Sequence, residues 1–174
     1  MDVISHGLYG GAGFYHKSKK SFWTAFAFGV LPDVLAFFWP FTILLYQIGL
    51  GQIDFTKFEP PVRDTSPQYV HAIYNFTHSI FIFAAVIIIV WIILKKPMLE
   101  MLAWGLHILM DIPTHSFAFF PTPFLYPFSS YKFDGILWAS QPFFAINWIV
   151  LILLYSYLIY RYRSKRLTNQ SEIR

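Results

Sequence analysis

The sequence predicts an all-α membrane bundle, with about four transmembrane helices and an N-terminal half-helix. Three observations predict it. The chain is 56% hydrophobic and only 13% charged, where ordinary soluble domains carry about 25% charged residues. Its apolar residues are blocked, and the blocks approach the roughly 20 residues that cross a ~30 Å hydrocarbon core. Its lysines and arginines collect at particular block ends, as positive-inside loops require. A buried helix of a soluble protein is the competing reading of any one block, but too few polar residues remain to cover its outside. The 174 residues read as a single integral membrane domain.

The elements follow in chain order. Val3–Tyr15 is apolar and glycine-rich, then turns at Lys17-Ser18-Lys19-Lys20. It reads as a half-helix over 3–15 folded back on the first span, where Gly7, Gly10, Gly11 and Gly13 would let two backbones approach closely. The first span is 22–50, interrupted by Pro32-Asp33 and Pro40. A polar, proline-bearing stretch over 51–77 reads as an outer loop. The cleanest span is 78–94, HSIFIFAAVIIIVWIIL, without a formal charge if histidine is neutral. A shorter span, 98–112, carries Glu100, His107 and Asp111. The second outer loop, 113–142, interleaves aromatics with prolines; proline prevents a continuous helix, and aromatics suit the membrane interface. It reads as an aromatic belt or as a lid over a site at the outer leaflet. The last span, 143–160, stops at Arg161.

Charge sets the orientation. Lys17, Lys19, Lys20, Lys95, Lys96, Arg161, Arg163, Lys165, Arg166 and Arg174 fall on one side of a four-span chain. Only Lys57, Arg63 and Lys132 fall on the other, so ten against three puts both termini in the cytoplasm. The absence of cysteine excludes disulfides and thiolate metal sites. There is no signal-peptide pattern, no internal repeat, no glycine-rich nucleotide loop, and no basic stripe to bind nucleic acid. Oligomeric state leaves no trace in the sequence.

Intramembrane ionisable residues are expensive and mark functional sites by default. His107, Asp111 and His115 are spaced four apart, which aligns them on one helix face, with Pro113 disturbing the last turn. Counting ~1.5 Å per residue, His107 lies roughly 15 Å above the cytoplasmic face and Asp111 about 21 Å. On the same count His78 lies roughly 25 Å up and Asp33 about 20 Å. His6 and Asp33 are equidistant from the lysine turn. Each residue alone has a bland reading as a cap, a kink or an interface group. Together, imidazole and carboxylate suit a transition metal, while a proton relay in a transporter would use the same residue types.

At these residues the chain resembles a known family. Ser5-His6-Gly7-Leu8, Gly29-Val30-Leu31-Pro32-Asp33, Asn75-Phe76-Thr77-His78-Ser79, His107-Ile108-Leu109-Met110-Asp111 and Leu125-Tyr126-Pro127-Phe128 occur in that order. They resemble the motifs of the YdjM-like inner-membrane proteins, described as LexA-regulated, membrane-bound metal-dependent hydrolases. Two positions depart from the family: Leu35 replaces a second acidic residue, and Tyr74-Asn75-Phe76 replaces a His-Arg-Gly.

The resemblance implies a hydrolase in the inner membrane that acts on a lipid-borne or membrane-associated ester or phosphoester, with membrane lipids as its surroundings. His6, Asp33, His107 and Asp111 would be ligands, with zinc the best match for mixed imidazole and carboxylate. His78 would be the general base or a further ligand, and His115 would hold the outer edge. Lys57, Arg63 or Lys132 could attract an anionic headgroup. The alternative is a non-enzymatic protein, either an ion or proton transporter or a structural subunit.

Overall fold

The computed structural model describes residues 1–53 and 66–172, the side chains of 165–172 excepted. Lys57 and Arg63 lie outside the described residues. The described chain is helical, without a strand: α1 (Val3–Ala12), α2 (Lys19–Gly49), α3 (Gln68–Thr77), α4 (Ile80–Leu94), α5 (Leu102–Thr114) and α6 (Gln141–Glu172). A 3-10 turn, Leu99–Met101, leads into α5.

Helices α1 and α2 form an antiparallel hairpin. Asp2 caps α1 by accepting from the Ser5 amide at 2.9 Å, and Ser18 caps α2 by accepting from the Ser21 amide at 3.0 Å. Small residues fix how closely the two approach. A Cβ on Gly29 would lie 2.6 Å from the His6 carbonyl oxygen, and one on Gly10 would lie 3.0 Å from that of Ala25. These pairings centre the turn near Lys17. His6 is therefore level with Gly29, and Asp33 stands one helical turn further along, a correction to the equal heights expected from the sequence.

Helix α2 continues through both prolines. Each ring removes one backbone donor and crowds the carbonyl four residues earlier. The bend falls at Phe37 (φ −106°, ψ 15°), just ahead of Pro40. At 31 residues the helix is about 46 Å long, more than the hydrocarbon core requires.

The stretch expected to be an outer loop over 51–77 is corrected over its last ten residues, which form α3. Helices α3 and α4 bend by 61° across His78 and Ser79. His78 ends α3, and Ser79 starts α4 by accepting from the Ile82 amide at 3.2 Å. Among the described residues two helices, Lys19–Gly49 and Gln141–Ser164, are long and apolar enough to cross a membrane, and the bent pair makes a third if it is one span. Helix α5, with 13 residues, covers only about 20 Å.

The 113–142 segment divides its roles. Phe119 and Phe120 are buried with Ala36, Phe37, Val70 and Tyr74 in one apolar cluster, and the Ile80 amide at the start of α4 donates to the Phe124 carbonyl at 3.0 Å. Further along, Gly135 donates to the His115 carbonyl at 2.8 Å and Ile136 to that of Pro113 at 2.9 Å. Between these two ties Tyr126, Phe128, Tyr131 and Phe133 are exposed. The first part of the segment thus packs Phe119 and Phe120 into the core, and the second part exposes its aromatics.

Candidate metal centre

Four residues from three parts of the chain converge on one buried point. Asp33 comes from the middle of α2, His78 from the α3–α4 joint, and His107 and Asp111 from one face of α5. One ligand atom from each lies within 4.8 Å of all the others. None is more than 4% exposed.

Backbone carbonyls dictate how the imidazoles are used. His107 Nδ1 lies 2.7 Å from the Gly29 carbonyl oxygen, and His78 Nδ1 lies 3.1 Å from that of Tyr74. A carbonyl can only accept, so each Nδ1 carries the proton and each Nε2 presents a lone pair. Those two Nε2 atoms face each other at 2.9 Å. Neither has a proton to give the other, so the contact is repulsive unless a cation or an extra proton lies between them.

The carboxylates complete the arrangement. Asp111 Oδ2 lies 3.2 Å from His107 Nε2 and 3.3 Å from His78 Nε2, yet it is buried without a hydrogen bond. Asp33 Oδ1 lies 3.4 Å from His78 Nε2 and 3.8 Å from His107 Nε2. A tetrahedral ion with ligands at about 2.0–2.1 Å separates its donors by roughly 3.3 Å. Five of the six separations, at 2.9–3.8 Å, bracket that value, and all lie within 4.8 Å, so these four residues could hold a metal ion.

His6 and His115 flank the centre on its other side. His6 packs against His107 with ring centroids 3.8 Å apart and planes tilted by 31°, and its Nε2 is 2.8 Å from Asp111 Oδ1. The approach is out of line for a hydrogen bond, and neither His6 nitrogen has one. His115 Nε2 lies 3.3 Å from the same oxygen. The Met1 amino group also meets Asp111 Oδ1, at 2.5 Å, and Thr114 Oγ1 and His115 Nε2, each at 3.0 Å. The six residues singled out in the sequence are thus all gathered here. His78 stands among the four closest, whereas His6 and His115 stand beside them.

Sequence reasoning missed the residues that orient this group. Tyr74 stacks on His78 with centroids 3.7 Å apart. Its hydroxyl lies 3.0 Å from His115 Nδ1 and donates to the Phe120 carbonyl at 3.0 Å. That carbonyl also accepts from His115 Nδ1 at 2.8 Å. Phe120 has φ +39°, a left-handed conformation that strains a bulky residue; here it turns the carbonyl toward both partners. The signal available was the four-residue spacing of Tyr74 and His78, which puts both on one face at the C-terminal end of α3.

Helices of membrane-crossing length around a buried Asp/His group define the class: an all-helical, membrane-compatible protein with a potential metal-binding centre. Compared with known proteins, the chain matches no family model, no curated protein and no solved structure.

Proposed function

We propose that the protein is a membrane-embedded, metal-dependent hydrolase of a lipid-borne or membrane-associated ester or phosphoester. The observation that carries this reading is the pair of Nε2 lone pairs facing each other beside an orphaned carboxylate oxygen. Asp33, His78, His107 and Asp111 would hold a divalent transition ion, with zinc the best match to two imidazoles and two carboxylates. The chemistry such an ion supplies is activation of water near neutral pH.

The chain's own groups do the rest. Gly29 and Tyr74 fix the two imidazoles through their carbonyls, and such outer partners hold ring orientation and basicity. This assigns His78 to ligation in place of the general-base role, with His6 and His115 beside Asp111. The cover formed by Phe119 and Phe120 excludes bulk water, which strengthens the electrostatic interactions beneath it. The exposed aromatics of the same segment suit the interface from which a lipid headgroup would approach. In this reading the chain crosses an inner membrane four times with both termini cytoplasmic, and it is a YdjM-like protein.

Elemental analysis of detergent-purified protein tests the centre. About one equivalent of zinc or a similar ion is expected after metal-replete purification, with hydrolysis of ester or phosphoester lipids in mixed micelles. A wild type without metal would leave the proton-relay reading, to be tested by pH-dependent transport.

Topology has its own test. Ser18 and Ser130 are both exposed, so cysteines there differ only in the side they occupy. An impermeant thiol reagent applied to intact cells is expected to label Ser130→Cys and not Ser18→Cys. Labelling of Ser18→Cys from outside would reverse the orientation.

A further inference from the structure

Helix α6 supplies none of the candidate ligands, yet an amide lies buried in its apolar run. Asn147 is 6% exposed, while Ile146, Ile149 and Val150 around it are exposed. In hydrocarbon every polar group must find its partners within the protein. Asn147 finds both of its partners on α1. Its Nδ2 donates to Ser5 Oγ at 2.7 Å, and its Oδ1 accepts from the Tyr9 hydroxyl at 3.2 Å. Ser5 and Tyr9 are four residues apart, so the amide grips one face of α1 across a full turn.

The grip extends in both directions. Ser5 Oγ donates in turn to Asp2 Oδ2 at 2.5 Å, and the other oxygen of Asp2 caps the helix. Two turns along α6, the Tyr155 hydroxyl donates to the Leu8 carbonyl at 2.8 Å. Every side chain in this chain of bonds finds an acceptor or donor on the facing helix or at its cap. The residue after Ser5 is His6, whose ring lies against His107 and Asp111.

We propose that Asn147 is a positioning residue: it fixes the rotation and depth of α1 on α6 and so holds His6 against Asp111. The glycines of α1 face α2 and α5, with Gly7 against Phe26 and Val30 and Gly10 against Ala25 and Ala103, so on the α6 side it is the polar contacts that set rotation and depth. A bifunctional amide bound to two residues one turn apart lets α1 neither slide nor turn. The consequence for metal affinity rests on the proposed metal centre; the consequence for α1 does not.

The test compares Asn147→Leu, which fills the space without hydrogen bonds, with Asn147→Gln, which keeps both functions on a longer stem. In Asn147→Leu, amide hydrogen exchange across residues 4–12 is expected to rise about threefold to twentyfold, the range that interhelical bonds in membranes support, with α5 unchanged. In cobalt-loaded protein the visible absorption bands should shift and a chelator should strip the ion faster. Asn147→Gln should recover part of each effect. Unchanged exchange in α1 overturns the proposal, as does equal loosening of every helix or a leucine effect that glutamine does not reduce. If the wild type binds no cobalt, exchange alone decides, so failure of the metal reading remains distinguishable.

Discussion

Asp111→Ala and His107→Ala are each expected to lower metal affinity by more than about a hundredfold, beyond the 10- to 100-fold typical of lost outer partners. Hydrolysis should vanish with the metal. The reason is the sharing of one small volume by charges and lone pairs. Asp111 is wholly buried, and a carboxylate without compensation there costs several kcal/mol or takes up a proton. Metal binding needs the ionised carboxylate and the neutral imidazole together, so either loss unmakes the centre. The protein should still insert, because insertion follows the apolar spans. His16→Ala is the control: His16 stacks on Tyr162 in the exposed turn after α1, and its loss should change neither metal content nor activity. Wild-type metal content in both single mutants would refute the assignment.

Gly29→Ala is expected to be nearly as damaging although it touches no ligand atom. The added methyl would lie 2.6 Å from the His6 carbonyl oxygen and 3.0 Å from its carbonyl carbon. Both are backbone atoms, so α1 must move away, at a destabilisation of about 1–3 kcal/mol, typical of overpacking. The same shift displaces His6 and disturbs the Gly29 carbonyl that orients His107. Metal content should fall with stability. Gly49→Ala isolates the cause, since a Cβ there meets nothing within 4 Å. Alanine is the better helix former, by up to about 1 kcal/mol, so that variant should be neutral or slightly stabilised. Equal behaviour of the two alanines in thermal unfolding and metal analysis would show that close approach at Gly29 does not matter.

The legible parts of this fold are those with strong local signals. Residues 80–94 form a helix, as their unbroken, charge-free apolar run suggested. The four-residue spacing of His107 and Asp111 placed both on one face, and the structure keeps them there. Helix α3 was missed because QYVHAIYNFT mixes polar and apolar residues and follows Pro67, so it resembles a loop until Val70 and Tyr74 are seen to be buried. Asp33 and His6 were gathered correctly, but their relative height depended on where the turn falls. That is set by glycine contacts between two helices, which no local pattern encodes. Tyr74 and Asn147 were overlooked for a similar reason. A tyrosine or an asparagine in an apolar run acquires its role only from partners 41 and 142 residues away.

The wide separation of the four donors in the chain bears on how the protein is made. If α2 is the first membrane span, as proposed, Asp33 is inserted with it before His78, His107 or Asp111 has been synthesised. Until then the only imidazole of the centre already made is that of His6, on the other arm of the α1–α2 hairpin. The bend that turns His78 inward needs α4 to start at Ser79, whose hydroxyl donates to the Tyr126 carbonyl, so that joint is secured only after the segment following α5 has emerged. On the proposed reading, assembly of the centre would be a late event in biogenesis, and metal acquisition would mark completion of the bundle instead of guiding its first steps.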